Sequence, residues 1–205
     1  MNALMENREG DLERFRKAGH AVVGVAGPKG GGKTAFALRF RDFAAAEDVP
    51  VLYLPLAAKL KEIFRLMGWN GQKDARGRRG LQLLGTEVGR KCIHEDVWVR
   101  HWRDRALHEA LRAEARGSRI VVLADDVRFV NEADVIHRMG GRVVEIAGRV
   151  PYENEHDSEK RLPSGLLDAI VDNGGSLEDL ERSARRVWED VREALRRPAP
   201  AGASA

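Results

Sequence analysis

The 205-residue sequence predicts an α/β fold with three layers, a mainly parallel five-stranded sheet covered by helices on both faces. Three observations carry that expectation. Short apolar runs alternate with helix-period stretches along the whole chain. A glycine-rich loop, Gly27-Pro28-Lys29-Gly30-Gly31-Gly32-Lys33-Thr34, joins the first run to the first helical stretch. A later apolar run ends in the adjacent acids Asp125 and Asp126.

The elements follow in order. Residues 21–26 (AVVGVA) read as a buried strand. Residues 33–46 read as a helix, with Phe36, Leu38, Phe40 and Phe43 among its apolar positions. Residues 49–54 (VPVLYL) form a second strand and 56–67 a second helix. The stretch 68–80, rich in glycine and basic residues, is expected as a mobile loop. Helical patterns return over about 80–91 and 96–116. Residues 119–123 (RIVVL) are a third strand, 131–139 a helix stopped by Gly140-Gly141, and 142–146 (RVVEI) a fourth strand. Residues 148–165 are polar and irregular, and 169–171 make a short fifth strand. The last helix, 176–196, starts at Ser176 as N-cap and carries Leu177, Leu180, Val187, Val191 and Leu195 along one face. The tail 198–205, rich in Pro, Ala and Gly, is expected to be disordered.

Composition bounds the function. A chain of this length is expected to form one domain over 1–197, and 43% hydrophobic residues suffice for a core. A net charge of +3 suits phosphorylated small molecules and is weak for a dedicated nucleic-acid binder, so no specific nucleic-acid partner is expected. Cys92 is the only cysteine, which excludes an internal disulfide; it is expected as a small buried hydrophobe. No stretch is apolar enough to span a membrane, and the N-terminus has no signal-like apolar region, so a cytoplasmic protein is expected.

The glycine loop matches the phosphate-binding pattern G-x-x-x-x-G-K-[ST]. Gly27, Gly30, Gly31 and Gly32 let backbone N–H groups close around phosphate oxygens, and the following helix adds positive potential at its N-terminus. Lys33 can reach the β- and γ-phosphates, and Thr34 can place its hydroxyl on Mg²⁺. In a parallel sheet, ligands bind beyond the carboxyl ends of strands, which brings Asp125, Asp126 and Arg128 to the same edge. A carboxylate there can order a Mg²⁺ shell. Adjacent acids point apart, so only one serves the metal; Asp126 is placed there with Thr34, and Asp125 stays open as the alternative. Arg128 can contact a substrate phosphate. Trp98 and Trp102, four apart, read as core packing rather than a stacking platform. His94, His101 and His108 read as surface or packing positions.

Four further blocks resemble a known family. Asp126-Val127-Arg128-Phe129 with Asn131-Glu132-Ala133 is similar to the D-V-R-F-x-N-E-A signature of bacteriophage-type deoxynucleoside monophosphate kinases. Leu81-Gln82-Leu83-Leu84-Gly85-Thr86-Glu87 with Arg90 resembles that family's L-Q-x-x-G-T-E-x-x-R. His156-Asp157-Ser158-Glu159 is similar to its H-x-S-E segment, and Asp172-Asn173-Gly174 with Ser176-Leu177 to its N-x-G-(S/T)-L segment. The blocks stand in the family's order over about 22–185; the glycine-rich centre of the P-loop departs slightly from the usual form. The resemblance implies a nucleoside monophosphate kinase fold, with a core over about 20–55 and 117–197, a helical acceptor-binding region over about 56–116 and a lid over about 148–165. It implies Mg²⁺ with ATP as phosphoryl donor and a deoxynucleoside monophosphate as acceptor. If the protein is phage-encoded, the location is the host cytoplasm. A homodimer is left open.

Roles follow from that resemblance. Lys33, Asp126, Arg128 and Arg149 are expected to carry transfer. Gly27, Gly30, Gly31, Gly32, Lys33, Thr34 and Asn173 are expected to bind ATP, with Asn173 near adenine. Gln82, Thr86 and Glu87 are expected to read the acceptor's base or sugar, and Arg79, Arg90 and Arg128 to hold its phosphate. His156, Ser158, Glu159 and Arg161 are expected in the lid. Two other readings stay open: a related small-molecule kinase of the phosphomevalonate kinase type, and a P-loop module that binds nucleotide as a regulator or in nucleic-acid handling.

Overall fold

A computed structural model describes residues 9–152 and 160–196. Five parallel strands, β1 (Ala21–Ala26), β2 (Val51–Tyr53), β3 (Val121–Val127), β4 (Arg142–Ala147) and β5 (Ala169–Asp172), form one sheet in the order β2-β3-β1-β4-β5. The helices are α1 (Glu9–Lys17), α2 (Lys33–Ala46), α3 (Ala58–Leu66), α4 (Ala75–Gln82), α5 (Val97–Glu114), α6 (Val130–Arg138) and α7 (Leu177–Arg196). A π-helix (Leu83–Ile93) runs on from α4. The expected α/β class and strand number stand.

Strand alternation divides the core in two. Val23, Val25, Val121, Leu123, Val144 and Ile146 face α2 and α7, where they pack with Phe36, Phe40, Leu180 and Trp188. Val22, Ala26, Val122, Ala124 and Val143 face the other way, onto Phe15, Trp102, Leu107 and Ile136 from α1, α5 and α6. The amphipathic pattern of the last helix is realised in α7, whose Leu180, Val187, Val191 and Leu195 are buried. Its start is fixed reciprocally: the Ser176 hydroxyl accepts from the Asp179 N–H at 3.2 Å, and the Asp179 carboxylate accepts from the Ser176 N–H at 2.8 Å.

Four local expectations are corrected. α1 was not expected; its charged sequence still turns Leu12 and Phe15 inward against α5. Residues 75–80 are helical rather than loop, because Asp74 caps α4 by accepting from the Gly77 N–H at 2.7 Å. β3 continues past residue 123 through both acids to Val127. Cys92 is exposed rather than buried. Trp98 and Trp102 are core residues as read, 6% and 2% exposed, with indole N–H groups donating to the carbonyls of Gly85 and Leu54. His94, His101 and His108 lie at the surface.

One buried group gives stability a pH dependence. His20, packed on Phe15, accepts at Nδ1 from the Ile120 N–H at 3.1 Å, which leaves its buried Nε2–H without a partner. Burial lowers its pKa, assisted by Arg119 and opposed by Glu114. A histidine with a lowered folded pKa stabilises fully above its unfolded value, near 6.5, and that contribution is lost as pH falls below it. Urea unfolding at pH 8 and pH 5 should therefore show a smaller loss of stability in His20→Gln than in the wild type. Equal losses would show that His20 carries none of it.

Candidate active site

The sheet order makes β1 and β3 neighbours whose connections leave in opposite directions, so a crevice opens beyond their carboxyl ends. The P-loop leaves β1 here. Gly27 has φ +135°, and a Cβ on it would lie 2.3 Å from the Ile146 carbonyl oxygen. Gly32 caps α2 at φ +99°, where a Cβ would lie 2.3 Å from the Asn173 amide nitrogen. Only glycine serves at either position. The first-turn amides of α2 have no intrahelical acceptor and carry the positive end of the helix dipole. Lys33 folds back over the loop, and its Nζ donates to the carbonyls of Gly27 at 2.8 Å and Pro28 at 2.7 Å. Gly30 is exposed at the tip of the loop, and the Val150 side chain comes within reach of it. That contact brings the segment carrying the exposed Arg149 alongside the P-loop.

Asn173 is 3% exposed and donates from Nδ2 to the Gly31 carbonyl at 2.8 Å. Its amide braces the P-loop from the end of β5. The side chain is buried against the loop backbone, a bracing contact that the sequence did not show.

The two acids part as strand alternation requires, and the placement differs from the expected one. Asp125 shares the face of Val121 and Leu123, the face on which α2 lies, and accepts from the Thr34 hydroxyl at 3.0 Å. Asp126 points to the opposite face. Its carboxylate accepts from the N–H groups of Leu56 at 2.6 Å and Ala57 at 3.2 Å, with Lys61 Nζ at 3.8 Å. Burial raises its pKa, the neighbouring Asp125 adds to the rise, and Lys61 and the two amides oppose it. Asp126 therefore anchors the turn into α3, and Asp125 replaces it as the partner of Thr34. Tyr53, at the end of β2, lies beside this pair; burial and then the Asp125 carboxylate hold its phenol protonated.

Between the ends of β1 and β3 is a small crevice lined by Gly27, Arg128, Tyr152, Lys160 and Leu162. Beneath it lies Glu145, fully buried on β4. Arg161 donates to both of its oxygens, with Nη2 at 2.6 Å from Oε2, and the Tyr152 hydroxyl donates to Oε1. Burial pushes the Glu145 carboxyl up, but the hydrogen bonds from Arg161 and Tyr152 win and hold it below its ordinary value. Sequence reading missed Glu145; a lone Glu inside the apolar run RVVEI was the available signal. Arg161 was expected in the lid, and its guanidinium is committed to Glu145. His156, Ser158 and Glu159 lie outside the described residues.

The acceptor-region candidates divide. Arg79 is exposed on α4, and Gln82 is half-buried at its end. Thr86 is buried in the π-helix, 8% exposed. Glu87 is exposed and pairs with Lys91 one turn on, at 3.0 Å. Arg90 departs most from expectation. Its Nη2 lies 2.6 Å from Glu132 Oε1, its Nη1 donates to Asn131 Oδ1 at 3.1 Å and the Glu95 carbonyl at 3.0 Å, and its guanidinium carbon sits 3.8 Å from the centroid of the Phe129 ring. Both terminal nitrogens of this guanidinium are thus committed to protein acceptors, at the position where the sequence suggested a phosphate ligand.

A family model described as deoxynucleotide monophosphate kinase matches residues 48–184, about two thirds of the chain. The chain belongs to the deoxynucleotide monophosphate kinase family. It is a kinase, a phosphoryl transferase, and the acids, Arg128 and the π-helix of this kinase all fall within the matched span. The P-loop precedes that span and rests on its own geometry. No curated protein matches the sequence. The crystal structure of APE1195 aligns at 15% identity over 85% of this chain and 95% of its own, with a TM-score of 0.48; so distant a likeness carries no argument. Among the described residues, no helix of this kinase is long and apolar enough to cross a membrane.

Proposed function

We propose that this kinase transfers the γ-phosphoryl group of ATP to a deoxynucleoside monophosphate by direct in-line displacement. The observation that carries the reading is the meeting of two anion-binding elements at one sheet edge, the P-loop with Lys33 and the crevice with Arg128 and Lys160. The first would take the donor's β- and γ-phosphates on loop amides and the Lys33 ammonium. The second would take the acceptor phosphate, with Gly27 between them. An acceptor monophosphate has a second pKa near 6, so at neutral pH its oxygen is already a nucleophile and needs no general base. That oxygen bonds to the γ-phosphorus as the bond from phosphorus to the β–γ bridging oxygen breaks, and ADP leaves with the electron pair. The residues' task is to align the two oxygens and offset charge. Arg149, alongside the P-loop, and Gln82 and Thr86, in the helical region, are assigned to charge neutralisation and to recognition of the acceptor nucleoside. Arg79 and Glu87 stand at the rim of that region.

The residues also fit Mg²⁺. Thr34 and Asp125 offer hard oxygen donors within 3.0 Å of each other, and no group of three or more His, Cys, Asp or Glu side chains converges among the described residues. Few protein ligands suit an ion that keeps its waters and binds phosphate oxygens. Thr34 would hold it directly and Asp125 would orient Thr34 and a bound water. Such an ion, held by these residues, would supply charge neutralisation for the donor phosphates.

ADP release from Mg²⁺-ATP, measured with dTMP, dGMP, dCMP, dAMP, their ribose counterparts and phosphomevalonate, tests the reading. Turnover with at least one deoxynucleoside monophosphate is expected. Turnover confined to phosphomevalonate would reassign the acceptor, and no turnover with any of them would overturn the proposal.

A further inference from the structure

We propose that Arg90 and Glu132 form a positioning pair that couples the acceptor-binding π-helix to the turn carrying Arg128, and that Arg90 itself does not touch substrate. The inference rests on the reading that Arg128 holds the acceptor phosphate. Glu132 divides its carboxylate between two tasks. Oε1 takes Arg90 at 2.6 Å, while Oε2 accepts from the N–H groups of Arg128 at 2.7 Å and Phe129 at 3.1 Å. The backbone of Arg128 is thereby fixed by a side chain whose other oxygen belongs to the π-helix. Both partners are dry, with Arg90 and Glu132 side chains 11% and 6% exposed. Arg90 is also stacked on Phe129, the residue after Arg128, and bonds to Asn131 and to Glu95, which lies between the π-helix and α5. A fork with both terminal nitrogens committed to protein acceptors and one face covered by a ring suits a brace. Breaking one side of such a pair leaves the other charge buried and alone, which frees the turn instead of merely weakening it.

The test separates a brace from a phosphate ligand. The variants are Arg90→Met, Arg90→Lys and Arg128→Ala, alone, and Arg90→Met with Arg128→Ala. With the preferred deoxynucleoside monophosphate, Arg90→Met should lower kcat/KM for the acceptor by about 100-fold and leave KM for ATP within threefold. Arg90→Lys, which keeps the charge but not the fork, should recover part of that loss. In the Arg128→Ala background, Arg90→Met should cost no more than threefold further, because its effect runs through Arg128. A full additional 100-fold loss there would make Arg90 an independent phosphate ligand and overturn the inference. Amide hydrogen exchange reads the brace without turnover: the Arg128 and Phe129 amides should exchange at least tenfold faster in Arg90→Met and in Glu132→Gln. Unchanged exchange in both variants would overturn the pair, whatever the acceptor proves to be, whereas faster exchange in a protein inactive on every nucleotide would overturn only the assigned reaction.

Discussion

Replacing Lys33 with alanine is expected to lower kcat by about 10³-fold while shifting the melting temperature by no more than about 4 °C. The asymmetry follows from what the ammonium touches. In the structure it donates to two carbonyls of its own loop, Gly27 and Pro28, at a half-buried position. Each such bond is worth about 1 kcal/mol net, and water replaces part of it. Toward a triphosphate the same group meets charge that grows on the transferring oxygens. One unit-charge pair at about 4 Å, at an effective dielectric near 20, is worth about 4 kcal/mol, which is about three decades in rate. The measurement is steady-state ADP release beside a thermal melt. Wild-type turnover in the folded variant would remove the P-loop from the mechanism, and a collapse of the melt would make Lys33 a structural residue.

Much of the fold is legible because apolar periodicity and glycine placement are local signals. The run AVVGVA, the loop GPKGGGKT and the Leu/Val stripe of the last helix each appear in sequence as they do in space. What escapes is non-local. Helix α1 hides because only Leu12 and Phe15 are buried among charges, and their partners on α5 lie about a hundred residues away. The π-helix has no propensity signature, and its glycines let neighbours approach closely, as where a Cβ on Gly89 would lie 2.6 Å from the Trp98 ring. Arg90 reads as a substrate ligand in any linear view, since Glu132 is 42 residues on and its pairing is set by packing. Glu145 was visible only as an oddity, a charge in a buried strand, and its partners Tyr152 and Arg161 come from a stretch with no regular pattern.

The adjacent acids show the same limit at the scale of one residue, and they give the second large expected effect. Asp125→Asn should lower kcat about 100-fold with a near-normal melt, and Asp126→Ala should do the reverse. Sequence places both at the right sheet edge but cannot say which face each takes, since that depends on strand parity. Here β3 keeps its alternation through Asp125, which joins Val121 and Leu123 on the α2 face, beside Thr34. Asp126, the next residue, falls on the opposite face with Val122 and Ala124, and the register slip against β1 between Gly24 and Ala26 then returns Val127 to that same face. Removing the Asp126 carboxylate strands the Leu56 and Ala57 amides, at a cost of about 2–4 kcal/mol, or roughly 4–16 °C in a domain of this size. Because those amides lead into α3, any loss of activity in Asp126→Ala should appear in KM for the acceptor, with kcat within about tenfold of wild type. Asp125→Asn keeps its size and an acceptor oxygen for Thr34, so the fold should hold while the charge beside the donor phosphates is gone. Melts and kinetics on the two variants decide the matter. A severe kcat defect in Asp126→Ala with near-normal kinetics in Asp125→Asn would return the metal-side role to Asp126 and show that the Thr34–Asp125 bond is only a helix tether.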